Sequence, residues 1–385
     1  MKYHDPHRRN GTIVTQAVCA ILFCAFSFLW LYWFQADVLS VAQFTLSHGV
    51  THYNPLVGAL LITAVLQLLQ VAVAVITRLR RHTHALTYVP SALLLAIISD
   101  YGITNSSRWL WIVPLVLVMW IGAVWLARQM LPFASQKEPS GLFSRRVWVN
   151  VLLLVLQMLA IAALSNTNAV YHYRAHAEQA LLRNDTDEAL RVGYESLETD
   201  ACLTMVRAYA LAKTGQLGDR LFTYAVAGTG ADLIPMPGNS SRTLLLPADS
   251  IYALCGAKPV KISQTERYLD LVLKNDTLAT PAALHYRLCG LLIDKQLDAF
   301  VRTLQRHLAI GDSLPRHYRE ALTLYAHQRS HPLVVYHNEV MDQDWDDLQK
   351  LERDYAEPND CKAHVAERYH GSYWYYYFYH PIDKN

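Results

Sequence analysis

Histidines four residues apart, His48 with His52 and His172 with His176, are the side chains here whose type and spacing come nearest to metal chemistry. On a helix that spacing sets both imidazoles on one face. A catalytic zinc site also needs a third protein ligand and usually a general base, as in HExxH, and neither pair carries Glu at its second position. His172 and His176 are expected instead to sit with Tyr171 and Tyr173 at a membrane interface. Asp342, Asp344, Asp346 and Asp347 have the rhythm of a calcium loop. Its sixth position, however, holds Asp347 where Gly is needed, and its twelfth holds Arg353 where a bidentate Glu is needed. The cluster reads as the acidic first turn of a helix running to Tyr355, favoured by the helix dipole. No GxSxG, GxxxxGK[ST] or GxGxxG string occurs. No metal or cofactor is expected, and binding is favoured over catalysis. The run Tyr373, Trp374, Tyr375, Tyr376, Tyr377, Phe378 and Tyr379 is the most unusual local composition. Sugars and lipid head groups bind aromatic surfaces, but rings on every face of a helix are most simply buried against neighbouring helices or the bilayer surface. Docking is therefore the expected role, with ligand or partner contact as the alternative. The candidate contact residues are Asp37, His48, His52 and Asp100 in and beside the outside loops, together with Tyr373, Trp374, Tyr375, Tyr376 and Tyr377.

The elements that position these side chains follow from two unlike halves behind an overall 52% of hydrophobic and 17% of charged residues. Residues 1–165 contain only Asp5, Asp37, Asp100 and Glu138 as acids. Their basic residues form three clusters: Lys2, Arg8 and Arg9; Arg78, Arg80 and Arg81; and Arg128, Lys137, Arg145 and Arg146. Alternate loops offer only Arg108. Lys and Arg of short loops stay cytoplasmic, which predicts a cytoplasmic amino-terminal segment. Crossing a hydrocarbon core of about 30 Å takes roughly 20 helical residues. Five stretches qualify: 13–34, 56–77, 86–103, 109–131 and 147–165. The first reads as a retained anchor. The third is short, is interrupted by Pro90 and carries Asp100 near its end, yet without it Arg145 and Arg146 would face outward, so the basic asymmetry favours five. An intramembrane acid suggests an ion or proton path, whereas Asp100 beside Tyr101 and Gly102 is expected to reach the interface.

From residue 166 onward, 23 Lys and Arg face 28 Asp and Glu, and apolar runs long enough to span disappear. This half, 166–385, is expected to be an exported, water-soluble domain. It has no basic patch interleaved with aromatics, which argues against nucleic acid as a partner. Cys202, Cys255, Cys289 and Cys361 form no CxxC pair and are expected to be buried free thiols, although an exported site permits a disulfide. Three segments share the order apolar helix, polar turn, second helix: 171–197 through Arg183, Asn184 and Asp185; 204–227 through Thr214, Gly215 and Gln216; and 283–308 through Asp294, Lys295 and Gln296. The first two lie about one tetratricopeptide period apart. Ser263 with Glu266 predicts a capping box, and Thr280 before Pro281 predicts a helix start. Residues 228–247, rich in Gly, Pro, Ser and Asn, are expected to interrupt the array, as a plain insertion or as a loop lining its concave face.

The strings AYALAKTGQLGDRLFTY (208–224), LDAFVRTLQRHLAIGDSLPRHYREALTLY (297–325) and GSYWYYYFYH (371–380) resemble an uncharacterised family of bacterial multi-pass membrane proteins with a tetratricopeptide-like carboxyl-terminal half. The resemblance covers most of the soluble half and the general layout of the membrane half. It implies architecture and an inner-membrane location, and transfers no catalytic residues. The expectation is an all-α protein with five transmembrane helices and a tetratricopeptide-like helical-repeat domain in the periplasm. Such a protein would act as a scaffold or recognition module touching membrane lipid and another envelope protein, because stacked helix pairs form extended binding surfaces. The alternative is an envelope enzyme or transporter acting on glycan or lipid.

Overall fold

In the computed structural model the described residues, 6–79, 81–102, 106–130, 144–355 and 357–380, are all-α. Lys2, Asp5, Arg80, Lys137 and Glu138, and the far ends of two expected spans at Ile103 and Leu131, lie outside them. The chain divides into two compact units, 1–168 and 169–385.

The first unit contains α1 (Pro6–Leu29), α2 (Ala36–Leu46), α3 (Pro55–Thr77), α4 (Val89–Ile98), α5 (Ser106–Met130) and α6 (Arg145–Leu164). Four helical stretches, Thr12–Phe34, Pro55–Thr77, Ser107–Met130 and Arg145–Leu164, are long and apolar enough to cross a membrane, the mark of a multi-pass membrane protein. Local chemistry sets their starts. Asn54 accepts the N–H groups of Leu56 and Val57 ahead of Pro55, and Ser144 accepts that of Val147, so polar caps satisfy amides that the helix leaves open. The helical stretch at the third expected span starts and ends earlier than 86–103: a 3-10 stretch, Arg81–Tyr88, leads into the ten-residue α4, which ends at Ile98. Pro90 lies in the first turn of α4, where its missing N–H costs nothing. Residues 36–46, inside the first expected outside loop, form α2.

Polar contacts order the two ends of this unit. At one end Trp30 Nε1 donates to Ser99 Oγ at 3.2 Å, Gln35 Nε2 to the Asn166 carbonyl at 3.2 Å, and Asn166 N–H to the Ser99 carbonyl at 2.9 Å. At the other, Arg128 Nη2 donates to the Thr77 carbonyl at 2.9 Å, and the Ala85 N–H to Asn150 Oδ1 at 2.7 Å. Arg128 thereby satisfies open carbonyls at the end of α3, where the helix dipole favours a cation. The 3-10 stretch and α4 together run from the second end to the first.

The second unit contains α7 (Ala169–Leu182), α8 (Thr186–Arg191), α9 (Ala201–Lys213), α10 (Leu217–Arg220), α11 (Ala248–Cys255), α12 (Thr265–Leu273), α13 (Pro281–Ile293), α14 (Leu297–His307), α15 (Arg316–Gln328), α16 (Glu339–Asp354), α17 (Pro358–Tyr369) and α18 (Tyr373–Tyr379). The three expected polar turns share one geometry. Asn184, Gly215 and Lys295 adopt left-handed φ of 61°, 73° and 55°. The next residue in each case returns its N–H across the turn: Asp185 to Ala180, Gln216 to Leu211 and Gln296 to Leu291, at 2.9, 2.8 and 2.8 Å. This is the Schellman ending of a helix, and it reverses the chain into the next helix. The second helices have 6, 4 and 11 residues, so the three segments are not equal units. Thr280 accepts the Ala283 N–H as the expected start of α13. The Ser263 cap does not form: α12 begins one residue after Gln264, which makes no side-chain cap, and Glu266 pairs with Arg287 at 3.4 Å.

Residues 228–247 are not a surface insertion. Leu233, Ile234, Met236 and Leu246 are buried in the same core as α9 and α13, and Leu245 is buried as well. Gly230 donates its N–H to Asp294 Oδ1 at 2.8 Å, and its α-carbon meets Gly290 so closely that a side chain there would fall 2.5 Å from the Gly290 carbonyl oxygen. Glu178, fully buried on α7, accepts the N–H groups of Leu244, Leu245 and Leu246 at 2.7, 2.6 and 2.9 Å. Arg174 beside it reaches the Arg242 carbonyl. One acid thus anchors three amides of a segment whose helical part is the short 3-10 turn Gly230–Leu233. Burial pushes the Glu178 carboxyl up, against the lowering pull of those amides and of Arg174.

Candidate interaction cleft

The second unit has a cleft of about 690 Å³ where its first helical elements meet. Tyr173 comes from α7, Asp187, Leu190 and Arg191 from α8, Gly193, Tyr194, Glu195 and Ser196 from the turn that follows, and Arg220 from α10. The turn depends on Gly193, whose φ is +62° and whose missing side chain would meet the Tyr173 ring at 2.8 Å. Beneath the turn Arg207, buried on α9, donates from Nη2 to the Gly193 carbonyl at 2.8 Å, and its guanidinium lies 5.1 Å from the centre of the Tyr224 ring. Tyr194 packs edge-on to Tyr224, ring centres 5.2 Å apart. Tyr224 in turn donates to the Leu190 carbonyl at 3.1 Å and accepts from Arg220 Nη2 at 3.4 Å. Burial pushes the Tyr224 hydroxyl up, opposed by Arg220 and Arg207, and burial pulls the Arg207 guanidinium down.

The rim therefore alternates in sign, with Asp187 and Glu195 against Arg191 and Arg220, over a floor stiffened by a buried cation and a tyrosine pair. Alternating charge with aromatic edges suits a ligand carrying its own alternating dipoles and side chains. Most of these residues lie within 187–196 but bear no motif, and nothing in the sequence marked them.

The residues singled out from sequence are dispersed. Asp37 lies in the first turn of α2. His48 and His52 do not share a helix face, because α2 ends at Leu46, His48 adopts a left-handed φ of 51° and His52 follows in non-helical chain. Among the described residues no group of three His, Cys, Asp or Glu is placed to hold a metal ion. His172 and His176 do lie on α7; His176 Nε2 bonds Glu188 Oε1 at 2.8 Å and His172 packs edge-on to Tyr171. Asp100, buried, is matched by Arg108: its Oδ2 accepts Arg108 Nε at 2.8 Å and Trp109 Nε1 at 2.6 Å, while Arg108 also donates to the Leu164 carbonyl at 2.6 Å. Asp342, Asp344, Asp346 and Asp347 lie on α16, whose cap is Asn338. Cys255, Cys289 and Cys361 are buried free thiols, and Cys202 is a half-buried one.

The aromatic run is α18, docked into the second unit. Tyr373, Trp374 and Tyr376 are buried, and the hydroxyls of Tyr373 and Tyr376 donate to the Leu292 and Ile293 carbonyls at 3.1 and 3.0 Å. Lys295 reaches the carbonyls of Tyr377 and His380 at 2.7 and 2.6 Å, with the Tyr377 ring centre 5.5 Å from its ammonium. The left-handed turn of α13 thus supplies the cation that closes the carboxyl end of α18. Tyr375 remains half-buried, stacked on Tyr379.

No curated protein and no solved structure matches the chain. Of the strings on which a family resemblance rests, 297–325 and 371–380 lie within the stretch that a known family does match, and 208–224 lies outside it. That stretch takes in α12 to α18, so the docked aromatic helix and the helices receiving it fall together. Residues 260–380 match the sequence model of DUF6057, a family of unknown function.

Proposed function

We propose that this is an inner-membrane protein that crosses the bilayer five times and presents residues 169–385 on the exported face as a tetratricopeptide-like recognition module for another envelope protein. The short third segment supports five crossings by its rise. Eight 3-10 residues at about 2.0 Å and ten α residues at about 1.5 Å sum to about 31 Å, the thickness of a bilayer core. Arg78, Arg128, Arg145 and Arg146 then fall at one end of the first unit and Arg108 at the other, in accord with cytoplasmic retention of basic loops. The shared Schellman turns support the helix-pair reading of the second unit.

The recognition reading rests on the cleft between α7, α8 and α10, whose occupant is an extended polypeptide segment. Its main-chain dipoles match the alternating rim, and Tyr173 and Tyr194 offer rigid aromatic contacts of the kind that dominate interfaces. A photo-crosslinking residue at Tyr194 is expected to give a discrete protein adduct in cells, absent when the same residue replaces exposed Leu271. Arg191→Glu with Arg220→Glu should remove the adduct. Equal labelling at both positions, or an adduct indifferent to the charge reversal, would overturn the reading.

A further inference from the structure

We infer that the first unit binds an anionic glycerophospholipid, head group inward, in a cleft between α1, α3 and the 3-10 stretch. This cleft, about 670 Å³, is lined by Gln16, Ala17 and Ala20 of α1, by Gln67, Gln70 and Ala74 of α3, and by Arg78, His84 and Tyr88 beyond α3. The volume falls in the range of about 300–1,000 Å³ typical of small-molecule sites.

Its two sides differ in chemistry. Ile13, Val71 and Val75 form an apolar rim and are 53%, 49% and 69% exposed, so it opens sideways onto hydrocarbon. Its floor is polar. Gln67 Nε2 donates to Gln70 Oε1 at 3.1 Å, and Gln70 Nε2 donates to Thr87 Oγ1 at 2.9 Å. His84 and Tyr88 close the floor, 3% and 0% exposed, while Gln16 and Gln67 stay half-exposed to the cleft. Polar groups left open in hydrocarbon are costly, and acyl chains cannot satisfy them. A polar occupant can.

Charge selects which one. Among the described residues Arg78, exposed at the end of α3 and held at a left-handed φ of 53°, is the charged residue lining the cleft, and neither Asp nor Glu lines it. The occupant therefore carries a phosphate for Arg78 and hydroxyl or ester oxygens for the glutamines, while its acyl chains leave across the apolar rim. Basic pockets between transmembrane helices take anionic lipid head groups in this manner. The inference is independent of the recognition reading, since it concerns the other unit and holds on either side of the bilayer.

The test uses the full chain purified in neutral detergent, with native mass spectrometry after equilibration with phosphatidylglycerol, phosphatidylcholine of the same acyl chains, or inorganic phosphate. Phosphatidylglycerol should be retained about fivefold better than phosphatidylcholine, the factor expected for one basic contact, and inorganic phosphate should not displace it. Arg78→Gln, which removes the charge, and Ala74→Phe, which fills the cleft, should each reduce retention to the phosphatidylcholine level without moving the thermal midpoint. If Ala74→Phe lowers that midpoint, Ala17→Leu on the facing helix replaces it. Equal retention of the two lipids overturns the inference, and so does displacement by inorganic phosphate. Sensitivity to Arg78→Gln but not to the filling variant places the lipid on the surface and overturns the cleft.

Discussion

Glu320, buried on α15, accepts the main-chain N–H of Tyr373 at 2.7 Å, and its own carbonyl accepts the Trp374 indole N–H at 2.7 Å. Arg316 and His317 bind the same carboxylate at 2.7 and 2.9 Å. One acid thus orients the first turn of α18, where a negative charge favours a helix. Removing residues from Gly371 onward exposes that seat and forfeits the burial of Tyr373, Trp374 and Tyr376. At about 1.5–3 kcal/mol for each large side chain, the second unit should lose several kcal/mol in urea titration, whereas Glu320→Gln should cost about 2 kcal/mol. A truncated unit that melts unchanged but loses a copurifying protein would make α18 a recognition element.

Acid should act on this unit in two opposed steps. Burial alone would raise the Glu320 carboxyl, but His317, Arg316 and the Tyr373 N–H outweigh it and hold the group below the usual carboxylate range. Its contribution is therefore present above about pH 4.3, the unfolded value, and is lost as pH falls through the lowered folded value. Glu178, raised by burial, behaves oppositely: the folded state takes up a proton before the unfolded one does, so linked stability grows as pH falls through the raised value. Urea midpoints measured between about pH 3 and 8 should rise on mild acidification and fall only below about pH 4.3. Glu178→Gln should reduce the rise, to which Asp294, also raised by burial, contributes, and Glu320→Gln should reduce the fall; a profile that neither substitution alters would contradict both assignments.

Reporter fusions decide the five-crossing topology. Alkaline phosphatase placed after α18 should be active, and placed between α3 and α4 inactive. A fluorescent, phosphatase-negative fusion after α18 would mean that the α4 segment does not cross.

Asp100 and Arg108 should behave as one unit. Arg108→Gln strands a buried carboxylate and should lower stability in detergent by about 3 kcal/mol, while adding Asp100→Asn to it should recover most of that loss. Thermal midpoints of the singles and the double form the cycle, and additive losses would show the pair to be uncoupled.

Long apolar runs and helix-ending residues were the legible parts. The four long helices follow from composition, and Asn184, Gly215 and Lys295 stand in turns that the polar triplets located. The bounds of the third stretch were not legible, because 3-10 geometry leaves no periodic signature that eight residues can reveal. The His48 and His52 reading failed because spacing says nothing about where a helix stops, and α2 stops two residues before His48. Composition identified 228–247 as an interruption of the α-helices, but its 3-10 turn at Gly230–Leu233, the approach of Gly230 to Gly290 and the hold of Glu178 on Leu244 to Leu246 were not legible. The cleft at Tyr194 depends likewise on Arg207 and Tyr224, which become its floor only once α9 packs against α8.

The seat of α18 also sets an order of events during synthesis. α13, α15 and α16 leave the ribosome before the aromatic segment does, and until it follows, the Glu320 carboxylate is held by Arg316 and His317 without the Tyr373 N–H, and the carbonyls of Leu292 and Ile293 are without the tyrosine hydroxyls they accept in the finished fold. The core therefore closes from its far end, and chains cut short before Tyr373 display a charged, apolar-walled hollow that completed chains conceal.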